Sequence, residues 1–308
     1  MSFGQAFLQH PDLFPGRRSG EAGGDRGVTA ELAGGPYAFS GLDAEQVETI
    51  RGRFGAVLRE GEEREGPRVV ETLVFRVDPR DFRELDLRGW TYSFDIHYDP
   101  ASVRLVGRNF MARLDWAPTL RGAIWTSARD QSFLGVFENY FRVLLAYRLL
   151  DAGGALVHSA GVRDEAGAYL LFGPSGAGKS TLARLARDAG GAVLSDELNP
   201  LCRTDGPTAL QGLPFFGDVE PDCSPRTPHR VRAICRLHKA ASNALRPLGL
   251  AETLASLFAC TPFVNRDPYR MERLLQNLES LLRPVPTYEL AFSRDVAFWD
   301  VLRGAKAS

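Results

Sequence analysis

The sequence predicts an α/β fold, a P-loop core preceded by an antiparallel β-rich accessory region. Three observations carry that prediction. The apolar run Leu170-Leu171-Phe172 feeds the segment Gly173-Pro174-Ser175-Gly176-Ala177-Gly178-Lys179-Ser180-Thr181, which opens directly into the helical pattern Leu182-Ala183-Arg184-Leu185-Ala186. One helix later, the short apolar strand Ala192-Val193-Leu194-Ser195 delivers two acids, Asp196 and Glu197. Upstream, from Val69 to Leu114, apolar residues alternate with period two, as half-buried strands require. The chain therefore divides into a loose N-terminal arm over 1–40, a β-rich region over 41–128 and a catalytic core over 129–308.

The arm is rich in Gly, Pro and charge, and Gly16 to Gly35 resembles a linker. A helix opens at Leu42, where Asp43 as N-cap and Gln46 three residues on form a capping box. Val69–Val77, Trp90–Tyr98, Val103–Val106 and Phe110–Leu114 read as strands of a small antiparallel sheet. Trp90, Tyr92 and Phe94 fall on one face of it and read as core, and His97 reads as an ordinary sheet residue. Ser132 to Ala152 is the strongest helix outside the loop, with an apolar face from Phe133 to Leu149 and a glycine stop at Gly153-Gly154.

Gly154–Val162 reads as a strand and Arg163–Gly167 as the turn returning the chain into the loop strand, so His158 lies beside the loop. Ala189-Gly190-Gly191 stops the helix after the loop. Beyond the acids, residues 212–230 form a proline-punctuated loop of the length that makes lids and substrate-binding segments. The last third reads as strand (Val231–Leu237), helix (Ala251–Phe258), helix (Pro268–Leu282), strand (Thr287–Phe292) and a short helix (Asp295–Leu302).

The chemistry follows from the spacing G-x-x-x-x-G-K-[ST]. Glycines let the backbone curl until successive N–H groups point at phosphate oxygens, and the helix N-terminus adds its positive end. Gly173, Ser175, Gly176, Ala177, Gly178, Lys179, Ser180 and Thr181 make up that cradle, with Lys179 reaching the β and γ phosphates and Ser180 offering a hydroxyl to Mg²⁺. The chain has three lysines, Lys179, Lys239 and Lys306, so 34 of its 37 basic residues are arginines and a lysine in this loop is no filler. Of Asp196 and Glu197, one can complete the Mg²⁺ shell and the other can accept the proton of an attacking hydroxyl. Phosphoryl transfer also benefits from a guanidinium over the γ phosphate; Arg226, Arg230 and Arg232 are nearest in sequence, and Arg226 leads because it lies within the loop.

The order H-S-A-G (158–161), G-P-S-G-A-G-K-S-T (173–181), L-S-D-E (194–197) resembles the HPr kinase/phosphorylase family. More closely it is similar to the stand-alone HPr-kinase-like kinases found with peptide-modification clusters, some of which phosphorylate a serine hydroxyl. The resemblance spans roughly Gly153 to Leu302. It implies a nucleotide fold related to phosphoenolpyruvate carboxykinase, ATP and Mg²⁺ as cofactors, Asp196 as base with His158 beside it, and Glu197 near the metal. It also implies a homo-oligomer. The long C-terminal signature of HPr-modifying enzymes is absent and Glu197 stands where Asp is usual, so the expected acceptor is a serine-type hydroxyl of another peptide or protein. A kinase acting on free serine or another small hydroxylated metabolite, and a nucleotide-sensing regulator without transfer, are the alternatives.

Composition bounds the partners. Lys+Arg minus Asp+Glu is 37 − 38 = −1, with no basic excess for nucleic acid or an anionic membrane. No run of about 18 apolar residues stands in the chain, and its start lacks the charged-then-apolar pattern of a secretory signal. Cys202, Cys223, Cys235 and Cys260 are scattered, which reads as four reduced thiols in a cytoplasmic protein with no zinc site.

Overall fold

The computed structural model describes residues 21–59, 69–77, 94–107, 110–116, 118–203, 206–215 and 217–304. The chain divides into two compact units, Met1–Leu144 and Leu145–Ser308.

Among the described residues the first unit is built on seven strands: β1 (Arg26–Leu32), β2 (Gly35–Leu42), β3 (Val70–Arg76), β4 (Asp95–Tyr98), β5 (Ser102–Gly107), β6 (Phe110–Asp115) and β7 (Arg121–Thr126). They lie in the order β1-β2-β3-β7-β6-β5-β4. The sheet is mixed, not purely antiparallel as expected, because β3 runs parallel to both neighbours, β2 and β7. Residues 26–40, expected in the loose arm, form most of the β1–β2 hairpin. Gly34 takes the positive φ (89°) its tight turn needs, and Tyr37 and Phe39 bury fully on one face. Trp90 and Tyr92 lie outside the described residues; Phe94 meets Phe110 edge-on at 6.4 Å.

Helix α1 (Ala44–Phe54) starts with the capping box expected: Gln46 N donates to Asp43 Oδ1 (2.9 Å) and Asp43 N to Gln46 Oε1 (3.1 Å). Helix α2 (Asp130–Asp151) carries Phe137 and Phe141 against Phe39 and Tyr37, with ring centroids 4.7–5.2 Å apart. Tyr140 and Thr72 share a buried hydroxyl pair at 2.9 Å. The opposite face of the sheet holds a separate apolar cluster of Val106, Met111 and Trp125, the last stacked on Phe75.

Among the described residues the second unit has eight strands: β8 (Ala155–Asp164), β9 (Gly167–Phe172), β10 (Ala192–Ser195), β11 (Leu198–Arg203), β12 (Thr208–Gln211), β13 (Pro228–Lys239), β14 (Ala244–Pro247) and β15 (Thr287–Phe292). β8 splits its pairing, giving Ala155–His158 to β11 and Ser159–Asp164 to β9. β13 does likewise, pairing with β12 at its start and with β9 from Val231. The ladder β8-β11-β12-β13-β9 therefore returns to β8 and closes. β10 is added beside β8, and β15 with β14 beside β13. The end of α2 and the helices α3 (Lys179–Asp188), α4 (Leu250–Ala259), α5 (Met271–Leu282) and α6 (Phe298–Arg303) also belong to this unit.

α3 buries Leu182, Ala183 and Ala186 against Ala160, Val162, Leu171 and Val193. Buried Asp267 accepts from Tyr147 Oη (3.0 Å), Arg270 Nη1 (2.8 Å) and Tyr269 N (2.9 Å), which ties the start of α5 to the end of α2. Among the described residues no helix is long and apolar enough to cross a membrane.

Candidate functional site

β9 ends at Phe172 and the chain turns through Gly173–Gly178 into α3. Gly176 (φ 76°) and Gly178 (φ 106°) take left-handed conformations open to glycine. At Gly178, the N-cap of α3, a Cβ would also stand 2.6 Å from the ring of Phe292. Pro174, Ser175 and Gly176 are exposed, so the crest of the loop is open, while Ser180 and Thr181 are half-buried in the first turn.

Lys179 is only 7% exposed and folds back over the loop, Nζ donating to Gly173 O (3.1 Å) and Pro174 O (3.2 Å). An ammonium has three donors, and these carbonyls take two. Burial lowers its pKa, against the opposing influence of Cys260 and Asp196.

Ser159 pairs with Phe172, so His158 sits one residue from the point where β9 becomes the loop. Its side chain is exposed, yet the protein packed around it and the Lys179 ammonium disfavour the imidazolium; Asp196 opposes them, and the outcome is a pKa of about 4. His158 is therefore neutral at pH 7. Its backbone N donates to Cys260 O (2.7 Å). Burial raises the Cys260 thiol, with Lys179 and the Gly173 backbone pulling the other way. Cys260 thus belongs to this group, although its scattered position in sequence gave no sign of it.

Asp196 follows β10 and is 3% exposed. Its carboxylate accepts from Gly217 N (2.9 Å) and Asp218 N (3.1 Å), fastening the long connection between β12 and β13 to the site. The same connection is held by Asp222, whose Oδ2 accepts from Arg187 Nε (2.9 Å) and Val193 N (3.0 Å). Pro228–Arg230, expected in the loop, instead open β13, and the described residues before them are pinned at several points.

Ser195 and Asn199 supply framing that sequence reasoning missed. Ser195 Oγ donates to Phe215 O (2.9 Å) and accepts from Glu197 N (3.1 Å) and Leu198 N (3.2 Å), which shapes the turn presenting the acids. Glu197 is half-buried, its carbonyl accepting from Ser159 N (3.1 Å). Asn199 is fully buried and its Nδ2 donates to Ser159 O (2.8 Å) and Ser195 O (3.3 Å), linking the strand of His158 to the strand of Asp196. Its Oδ1 stands where a Cβ on Gly161 would come within 2.2 Å. Gly161→Ala is accordingly expected to destabilise the protein by about 1–3 kcal/mol, as overpacking does, read as a lower denaturant midpoint.

Arg226 lies in an exposed turn, its N donating to Ser224 Oγ (3.3 Å). That turn rests on Gly212, with Gln211 Nε2 donating to Pro225 O (2.6 Å). Arg230 and Arg232 flank Gly167 at the start of β9, the end opposite the glycine loop, which removes both as partners of that loop. The structure thus gathers His158, Lys179 and Asp196 with the loop around the C-terminal ends of β9 and β10. Among the described residues no three His, Cys, Asp or Glu side chains cluster as a metal cage.

No protein-family model and no curated protein matches this sequence.

Proposed function

We propose that this protein is an ATP-dependent kinase that transfers the γ-phosphoryl group to a serine-type hydroxyl of a peptide or protein, in the manner of the HPr-kinase-like enzymes it resembles. The single observation that supports the reading best is the convergence of a buried lysine on the glycine loop with the buried carboxylate of Asp196 and a neutral His158. The left-handed glycines leave the crest of the loop bare, which suits close approach of a triphosphate.

Mg²⁺ fits the donor chemistry. Ser180 and Glu197 offer hard oxygen ligands, too few for an all-protein cage, and Mg²⁺ typically completes its octahedron with water and substrate phosphates. When bound it would neutralise charge on the phosphate oxygens.

In this reading the loop amides and the third N–H of Lys179 hold the phosphate oxygens where negative charge develops. A carboxylate offers about four lone-pair sites. Two on Asp196 serve the amides of Gly217 and Asp218, which fixes its orientation and leaves capacity for the acceptor's O–H. The acceptor oxygen bonds to the γ-phosphorus as its proton passes to Asp196, and the bond to the bridging oxygen breaks, releasing ADP. His158, uncharged, orients Asp196 without adding positive charge. A cytoplasmic location goes with the ATP requirement.

The test is mass spectrometry of purified protein incubated with Mg²⁺, ATP and separate pools of short peptides and hydroxylated metabolites. A phosphorylated peptide is the expected product. Phosphate gained only by metabolites would replace the peptide acceptor with a small molecule. ATP binding with no phosphorylated product in either pool would favour a nucleotide sensor and overturn the kinase reading.

A further inference from the structure

The face of the seven-stranded sheet that bears Trp125 and Met111 also carries a row of basic side chains. Arg104 on β5 pairs directly with His97 on β4 and with Arg113 on β6, so all three project to the same side. Like charges directly opposite one another oppose sheet formation.

Arg104 is also 5% exposed. Its Nη2 donates to Asp99 Oδ2 (2.7 Å), but Nε and Nη1 are buried with no hydrogen-bond acceptor. A guanidinium cannot shed its proton, so Nε–H and both hydrogens of Nη1 remain uncompensated. Asp99 has little left to give them, since His97 Nε2 (3.2 Å) and Ser102 Oγ (3.4 Å) also engage it. Arg113 is occupied with Asp115 (2.7 Å).

Across β4 to β7 on this face, among the described residues, Arg104, Arg113 and Arg121 are matched in number by Asp95, Asp99 and Asp115. What Arg104 lacks is acceptor oxygen, not several negative charges. A planar, singly charged carboxylate meets that need, and it matches the fork geometry of a guanidinium. The rim is partly open, with the side chains of His97 and Asp99 35% exposed and that of Arg113 43%. Val106 and Met111, two residues along from Arg104 and Arg113 on the same face, are buried and form an apolar wall beside them, a setting in which a charge-assisted pair is screened little.

We propose that Arg104, flanked by Arg113 and His97, is a binding site for a carboxylate, supplied by a free acid or by the C-terminus of a peptide. It stands or falls independently of the kinase reading.

Thermal-shift and calorimetric titrations of the full chain test it with N-acetylleucine, the tripeptide glycyl-glycyl-leucine, the same tripeptide as its C-terminal amide, and inorganic phosphate. The carboxylates are expected to raise Tm with concentration, as any ligand selective for the native state does. The amide is expected to bind at least ~10-fold more weakly, the loss of a charge-assisted contact. The tighter of the two carboxylates identifies the source. Arg104→Met keeps the apolar stem and removes the uncompensated donors, so it should fold no less stably than wild type and lose the response. Arg104→Lys keeps the charge without the planar fork and should bind at least ~10-fold more weakly. The proposal is overturned if no probe shifts wild type, if phosphate binds better than either carboxylate, or if Arg104→Met responds as wild type does.

Discussion

Lys179→Ala protein is expected to fold and to transfer phosphoryl groups from ATP at least ~10²–10³-fold more slowly than wild type, the scale on which a preorganised donor at developing charge acts. The side chain is buried, but its stem is not part of the core that α3 forms with β8 and β9, where Leu182, Ala183 and Ala186 carry the packing. Its loss leaves the carbonyls of Gly173 and Pro174 without their donor. Pro174 is exposed and finds water; Gly173 is buried, so a modest fall in Tm accompanies the loss of turnover. Circular dichroism with a steady-state transfer assay checks both halves. Transfer by a well-folded Lys179→Ala protein at a rate within ~10-fold of wild type would refute the kinase assignment.

Asp196→Asn separates two duties of one carboxylate. Asparagine presents one oxygen and one NH₂ group where Gly217 N and Asp218 N both donate, so one amide faces a donor. Nucleotide binding is expected to survive, because the glycine loop and Lys179 are untouched. Transfer should fall by ~10²–10⁴-fold, the range for removing a general base. Hydrogen exchange at residues 217–218 should accelerate as the tether loosens. If exchange accelerates while transfer holds, Asp196 is a clamp for the connection and not the base.

Much of this was legible because the signals are local. Asp43 and Gln46 are three residues apart, and the capping box appears as read. The helix from 130 to 151 announces itself by aromatic spacing, and the strand, loop and helix around Lys179 form one continuous pattern. The sequence missed β1, β2, β7, β11, β12 and β14 for reasons particular to each. β2 begins Gly-Pro and contains Gly41, residues that read as turn, and its strand character comes from pairing on both sides. β11 contains Pro200 and β12 has four residues, too short to show alternation. In the site, His158, Lys179 and Asp196 were legible from motif order, whereas Cys260 arrives from 81 residues beyond Lys179 through tertiary packing alone. The second role of Asp196 was hidden for the same reason, since Gly217 carries no chemistry of its own.

The closed ladder of the second unit has a consequence for how the protein is made. β9 pairs with β8, its neighbour in sequence, and with β13, which begins at Pro228, 56 residues after β9 ends. Until that segment leaves the ribosome, the strand carrying the glycine loop presents a bare edge. A chain stopped anywhere between 173 and 227 would expose that edge as a template for other strands, and so be prone to aggregate. The loop residues are translated early and reach their working frame late, since a ring joined by such distant partners closes slowly.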